Sequence, residues 1–263
     1  MTRNEALTRA RAILTANSIE DAHLEGELLL RYALEISRVQ LYTDLEHELD
    51  PKQEEIFWQL IKRRVNHEPT AYITGRYEFY GFDFYVDPRV LIPRSGSELL
   101  VEQALKFATK HSIKKRRLCL IAEVGTGSGA IAISIALYLP QAKIYASDIS
   151  APALEVAAIN CQRHRIDSRI ELLLGNMLEP LPEPVDLIVA NLPYIKESEM
   201  EELSPEIQMF EPRLALAGGE DGLDRVRQLL AQAVGKLRPG GSMLLELGEG
   251  QAPKADSLAK HYL

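Results

Sequence analysis

Apolar positions in the first seventy residues recur with helical spacing: Leu7, Ala10, Ile13 and Leu14 share one face, and Leu28, Leu29, Tyr32, Ala33 and Ile36 share another. Residues 1–70 therefore read as a small all-helical domain, with Ile56, Phe57, Trp58, Leu60 and Ile61 as part of its core. Ser18 and Asp21 have the spacing of a capping box, and Asp50-Pro51 with Gln53 marks a second helix start. Pro69 is expected to end the helical period. Over 77–86 the pattern becomes alternating, with Phe82, Phe84 and Val86 on one face and Gly81 between two aromatic runs, which predicts a β-hairpin. The expected division is a helical domain over 1–70, a hairpin linker over 71–90 and a second domain over 91–263.

Beyond residue 90, strand-like runs at 118–122, 144–146, 170–174, 187–190 and 243–247 are mostly separated by helical stretches at 97–109, 129–139, 151–163 and 223–236. A helix-like stretch over 251–262 follows. Such alternation implies crossover connections, so the second domain is predicted to be doubly wound α/β with a mostly parallel sheet. There is no internal repeat and no low-complexity tract.

Composition narrows the function classes. The longest apolar run, 130–139, is interrupted by Ser134 and falls short of the roughly 18 residues of a membrane span. The N-terminus lacks the apolar core of a signal peptide, so a cytoplasmic location is expected. Cys119 and Cys161 read as buried free thiols, and the six histidines have no ligand spacing, so no metal is expected. The 263 residues carry 30 Lys+Arg against 38 Asp+Glu, a net charge of −8, which argues against direct nucleic-acid binding through phosphate neutralisation. The densest basic run, Lys114-Lys115-Arg116-Arg117, reads as a solvated loop. Glu197, Glu199, Glu201 and Glu202 read as a solvated helix start, placed where contact with a basic substrate loop is feasible.

Three constellations carry chemistry. In the first, Glu123 ends a strand and Gly125-Thr126-Gly127-Ser128-Gly129-Ala130 leads into a helix. The glycines let backbone approach a ligand, and the helix N-terminus is expected to present free N–H groups. The same glycines satisfy a dinucleotide fingerprint, so the motif divides between nicotinamide or flavin cofactors and methyl donors. Glu123 favours the latter, because a carboxylate repels a pyrophosphate and attracts a cationic amino group. Next comes Asp148, at the end of the following strand and nineteen residues after Gly129, suited to accept from both hydroxyls of a ribose. The competing reading makes it a helix cap.

The third constellation is Asn191-Leu192-Pro193-Tyr194, directly after an apolar strand. The Asn191 side chain and the Leu192 carbonyl can accept both hydrogens of a planar NH2 group, while Tyr194 stacks on its face. An amide nitrogen is a poor nucleophile, and acceptors placed around its hydrogens favour the charge that develops when it attacks an electrophilic carbon.

These runs, together with Val90-Leu91-Ile92-Pro93-Arg94 and Glu211-Pro212-Arg213-Leu214-Ala215-Leu216 before Gly218-Gly219-Glu220-Asp221-Gly222-Leu223, resemble the HemK/PrmC family. Its members are S-adenosylmethionine-dependent methyltransferases that modify the glutamine of the Gly-Gly-Gln loop in peptide-chain release factors. The resemblance spans nearly the whole chain and implies a class I methyltransferase fold, with S-adenosyl-L-methionine as cofactor and release factors as protein substrates docked in part by the helical domain. It further implies that residues 125–129 line the methionine portion of the cofactor, Asp148 holds the ribose, and Asn176 and Met177 flank the adenine. Asn191 would lie beside the methyl donor and bind the substrate amide, and Pro193 and Tyr194 would complete the glutamine pocket. The Asn-x-Pro-Tyr run also fits enzymes that methylate adenine or guanine amino groups.

The sequence departs from the family at three places: Leu192 replaces a proline, Asn176 an aspartate, and Ser95-Gly96-Ser97 a run of proline, acid and threonine. The last is expected to loosen the lip near Arg94. Relatives continue past the position of Leu263 with two antiparallel strands, which leads to the expectation of a truncated chain with a bare sheet edge, reduced stability or self-association. The rival functions are a nucleic-acid amino-group methyltransferase, a nicotinamide-dependent oxidoreductase and a non-catalytic docking protein.

Overall fold

The computed structural model describes residues 1–115 and 118–262, and for 112–115 the backbone only, so the side chains of the basic run at 114–117 lie outside the described residues. The chain divides into two compact units, Met1–Gly75 with Ser204–Phe210, and Arg76–Leu203 with Glu211–Leu263.

The first unit contains α1 (Arg3–Ala16), α2 (Ala22–Leu34), α3 (Arg38–Thr43), α4 (Pro51–Val65) and α5 (Thr70–Thr74). Asp50 caps α4 as expected, accepting from the Lys52 N–H at 2.9 Å with Pro51 in the first turn. The expected box at Ser18 is absent. Ser18 has φ +57° and belongs to the end of α1, where its N–H donates to the Thr15 carbonyl and the Ile19 N–H to Leu14. These two bonds form a Schellman motif built on serine rather than glycine, and α2 begins only at Ala22. His67 (φ +64°) ends α4 in the same way, so the helical period stops before Pro69, and Pro69 instead opens α5.

Two core positions also differ from expectation. Tyr32 is exposed, while Gly26, Leu29, Leu30 and Leu34 are buried. A Cβ on Gly26 would stand 3.5 Å from that of Ala10, and this close approach of α1 and α2 turns the buried face past Tyr32. Ile56 is exposed too, since the buried stripe of α4 runs through Phe57, Leu60, Ile61 and Arg64.

In the second unit β1 (Tyr77–Phe79) and β2 (Phe82–Phe84) form the predicted hairpin. Its two-residue turn has Tyr80 at φ +53° and Gly81 at φ +77°, the signature of a type I′ turn. There follow α6 (Glu98–Lys115), β3 (Leu120–Val124), α7 (Ala130–Tyr138), β4 (Lys143–Asp148), α8 (Ala151–Arg163), β5 (Ile170–Leu174) and β6 (Val185–Asn191). The short β7 (Ile195–Lys196) comes next, then α9 (Pro205–Phe210) of the first unit, β8 (Ala217–Gly219), α10 (Asp224–Ala233), β9 (Leu237–Glu246) and α11 (Ala252–Tyr262). The parallel pair β7 and β8 has no counterpart in the sequence reading, and β9 starts six residues before the predicted 243.

The main sheet is fully parallel in the order β5-β4-β3-β6-β9. Alternate residues feed opposite layers: Ile121, Ile144, Leu187 and Val189 pack with α6 and α7, whereas Ala122, Tyr145, Ile188 and Ala190 pack with Leu229 and Ala233 of α10. In α7, Ala130 through Ala136 are all buried, which accounts for the apolar run there. Among the described residues no helix is long and apolar enough to cross a membrane. From β3 the strand order proceeds outward in both directions, so β3 and β6 meet at a topological switch point, where a crevice opens beyond their carboxyl ends.

Candidate active site

That crevice has an empty volume of about 890 Å3 including its mouth. Val124, Gly125 and Gly127 line it at the end of β3, Asp148 and Ile149 at the end of β4, Asn176 and Met177 after β5, and Asn191, Leu192 and Pro193 at the end of β6. The pairing of Val124 with Ala190 brings the first and last of these turns side by side. A Cβ on Gly125 (φ +72°) would lie 3.5 Å from the Leu192 side chain and 3.9 Å from the Asn191 carbonyl oxygen.

The glycine-rich turn consumes its own donors. The N–H groups of Gly125 and Thr126 both reach the Ser147 carbonyl, at 2.9 and 3.0 Å, and that of Gly129 reaches Thr126 at 2.8 Å. The Gly127 N–H donates to Asp148 Oδ2 at 2.9 Å. The N–H groups of Gly125, Thr126, Gly127 and Gly129 in the turn are thus taken up within the protein, and a carboxylate stands beside the turn where a pyrophosphate would need donors. Asp148 Oδ1 accepts from the Ser150 N–H at 2.9 Å, while Ser150 itself caps α8 through the Ala153 N–H, so Asp148 is not the helix cap. Burial raises the Asp148 pKa against these backbone hydrogen bonds.

Glu123 points away from the cleft. It is buried, and its Oε2 accepts from the Thr126 hydroxyl at 2.5 Å and from the Ala132 N–H at 3.1 Å, in the first turn of α7. Desolvation pushes its pKa up to about 8. The expected contact of this carboxylate with a cationic group in the cleft gives way to a brace holding the turn against α7. Thr126 and Ser128 are buried behind the cleft wall, and Gly129 (φ +80°) serves packing, since a Cβ there would stand 3.0 Å from Ile133 and 3.3 Å from Ala157.

On the opposite wall, Asn191 Nδ2 donates to Ser97 Oγ at 2.9 Å. Pro193 lines the cleft; Tyr194 follows it and is half-buried, its pKa raised by desolvation and by Glu246 against the lowering effect of Arg94. Tyr194 is instead fixed through its backbone: its carbonyl accepts from Gln251 Nε2 at 2.9 Å, and Gln251 Oε1 accepts from the Gly248 N–H at 2.9 Å. Gly218 and Gly222 fit beneath the turn. A Cβ on Gly218 would stand 2.7 Å from Tyr194 Cα and 2.8 Å from the Pro193 oxygen, and one on Gly222 would stand 2.3 Å from the Tyr194 oxygen.

Sequence reasoning assigned no role to Ser97, Gln251 or the apolar wall of Leu91, Ile149 and Leu214, although the runs at 90–94 and 211–216 carry part of that wall. Asn176 reaches Glu179 Oε1 through Nδ2 at 2.9 Å, and Met177 adopts φ +53° and accepts from the Ser147 hydroxyl at 2.7 Å. Arg94 pairs with the buried Glu211 at 2.6 Å. The acidic run is partly paired, Glu199 with Lys196 at 2.5 Å and Glu197 with Arg213.

Comparison with known proteins decides between the cofactor classes. Residues 5–75 match the family model described as PrmC N-terminal domain, and residues 94–210 match the methyltransferase small domain. Across 261 residues the chain is 44% identical to a release factor glutamine methyltransferase of Moorella thermoacetica, covering 99% of this chain and 90% of that one. The chain belongs to the release factor glutamine methyltransferase family. The methyltransferase of that name from Geobacter sulfurreducens is 41% identical, over 94% of this chain and 84% of its own. A methyltransferase structure from Pyrococcus furiosus shares the fold with a TM-score of 0.51 at 19% identity, covering 69% of this chain and 78% of that one.

The methyl donor of this methyltransferase class is S-adenosylmethionine, and the cleft fits it. A Cβ on Gly127 (φ +53°) would meet nothing within 4 Å, so the absence of a side chain keeps the space above the turn open. Asp148 offers carboxylate oxygens at the sheet edge, and Leu91, Ile149, Met177 and Leu214 supply apolar walls for a purine.

Proposed function

We propose that this cleft transfers a methyl group from S-adenosylmethionine to the side-chain amide nitrogen of the glutamine in the Gly-Gly-Gln loop of a peptide-chain release factor. S-adenosylmethionine supplies an electrophilic sulfonium methyl group: the N–C bond forms as the S–C bond breaks, sulfur keeps the electron pair, and the proton lost from the amide nitrogen passes to solvent. The division of labour assigns Asp148 to the ribose hydroxyls and Asn176 and Met177 to the adenine edge.

Asn191 carries the reading. It ends β6 and lines the same cleft as Gly127 and Asp148, and its Nδ2 is engaged by Ser97. Oδ1 is thereby left to accept one hydrogen of the substrate amide, and the Leu192 carbonyl takes the other. Two acceptors hold the nitrogen in line with the methyl carbon and stabilise the positive charge developing on it. Pro193 restricts the backbone of the turn, and Pro193 and Tyr194 complete the glutamine pocket.

The test is incubation with labelled S-adenosylmethionine and an unmodified release factor, next to the same factor with its loop glutamine replaced, read by peptide mass spectrometry. Methylation confined to the intact glutamine is expected. Transfer to a nucleic acid, or none to the release factor, would overturn the assignment. Asn191→Ala is expected to lower kcat by about 100-fold or more with little change in cofactor affinity.

A further inference from the structure

We propose that Ser97 is a positioning residue for methyl transfer, acting through Asn191; this rests on the role given to Asn191 above. Ser97 is buried, at 2% exposure, does not line the cleft, and accepts the Asn191 Nδ2 hydrogen bond at 2.9 Å across 94 residues of sequence.

An asparagine amide presents a donor on one side and an acceptor on the other. Only the orientation with Oδ1 toward the substrate gives a hydrogen-bond acceptor to an NH2 group, and the reversed one sets two donors against each other. In the structure the Ser97 oxygen accepts from the donor end, which leaves Oδ1 for the substrate amide before substrate arrives. The asparagine then loses little freedom on binding, and the reacting nitrogen is aligned from the start.

The serine is itself held in place. It closes a one-turn 3-10 helix, Ser95–Ser97, and its N–H donates to the Arg94 carbonyl at 2.9 Å. On one flank Arg94 is tied to Glu211 at 2.6 Å, and on the other Glu98 Oε1 accepts from the Tyr80 N–H at 2.9 Å. The Ser-Gly-Ser stretch that the sequence suggests is loose is thus anchored at both ends. A hydroxyl is the feature of this stretch that the site uses.

Ser97→Ala, Ser97→Cys and Ser97→Thr test the role, with Asn191→Ala alongside. Methyl transfer to an unmodified release factor gives kcat and KM, calorimetry with S-adenosylhomocysteine gives cofactor-site affinity, and thermal melting reports folding. Ser97→Ala and Ser97→Cys are expected to lower kcat by about 10-fold, as expected for loss of a hydrogen bond worth about 1.4 kcal/mol in the transition state. S-adenosylhomocysteine affinity stays within about twofold in both, and Ser97→Thr, which keeps the hydroxyl, recovers most of the rate. The cysteine variant preserves volume with a weak acceptor, so it remains informative should the alanine variant fold poorly. Wild-type kcat in Ser97→Cys, or equal losses of kcat and S-adenosylhomocysteine affinity, overturns the proposal. An undiminished rate in Asn191→Ala would instead overturn the reading on which it rests.

Discussion

Asp148 accepts the amide hydrogen of Gly127 at 2.9 Å, across 21 residues of sequence, and this bond ties the glycine-rich turn after β3 to the end of β4. One oxygen braces the glycine-rich turn while the other accepts from the Ser150 N–H at the start of α8. The residue expected to bind ribose therefore also shapes the wall on which the donor rests.

Replacing Asp148 by Ala removes both functions. S-adenosylhomocysteine affinity is expected to fall by at least about 10-fold, which corresponds to about 1.4 kcal/mol. Asn keeps an acceptor oxygen and should lose less. Calorimetric titration of the two variants checks the order, and equal affinity for wild type and Ala would remove Asp148 from the cofactor site.

Glu123 makes stability depend on pH in an unusual direction. Its folded pKa, about 8, lies above the ordinary 4.5, because the buried site favours the neutral acid. Its contribution is fully present below pH 4.5 and is lost as the pH rises through about 8, where the fold must hold a buried charge. Glu123→Gln keeps an acceptor and never ionises. The variant should therefore gain on wild type between pH 5 and 9, by more than about 1 kcal/mol at the top of the range. Urea melts across that interval decide it, and a pH-independent difference would contradict the account.

Gly218→Ala places a Cβ 2.7–2.8 Å from backbone atoms of Pro193, Tyr194 and Gly222, none of which can yield without moving the substrate turn. A stability loss of about 1–3 kcal/mol is expected together with a slower transfer. Gly240→Ala is the control: its φ of +76° is equally unsuited to alanine, but nothing lies within 4 Å of a Cβ there, so stability alone should suffer. Rates measured well below each melting temperature separate the two.

Both cysteines are buried, and burial pushes the Cys161 thiol up to about 12. A thiol-specific disulfide reagent at pH 8 should find no reactive group in the native protein and two per chain after denaturation. Rapid labelling without denaturant would show that the core around β3 and α8 opens readily.

The sequence by itself determined the parallel α/β layer, the helical N-terminal unit and the two turns that face the cleft. Each is written in contiguous residues: a period of two or 3.6, a glycine-rich turn after an apolar strand, Asn191 through Tyr194 after another. Helix ends were less legible, because Ser18, His67 and Arg165 adopt the left-handed conformation usual for glycine. Schellman bonds compensate such residues, and they leave no mark in composition. Only the tertiary structure decided which acid faces the cleft, sending Asp148 to its wall and Glu123 into the core, since the two strand ends look alike in sequence. It alone also joined Ser97 to Asn191 and Gln251 to Tyr194, pairs 94 and 57 residues apart. Contacts of that kind are set by strand order and the packing of buried polar groups, neither of which a local pattern encodes.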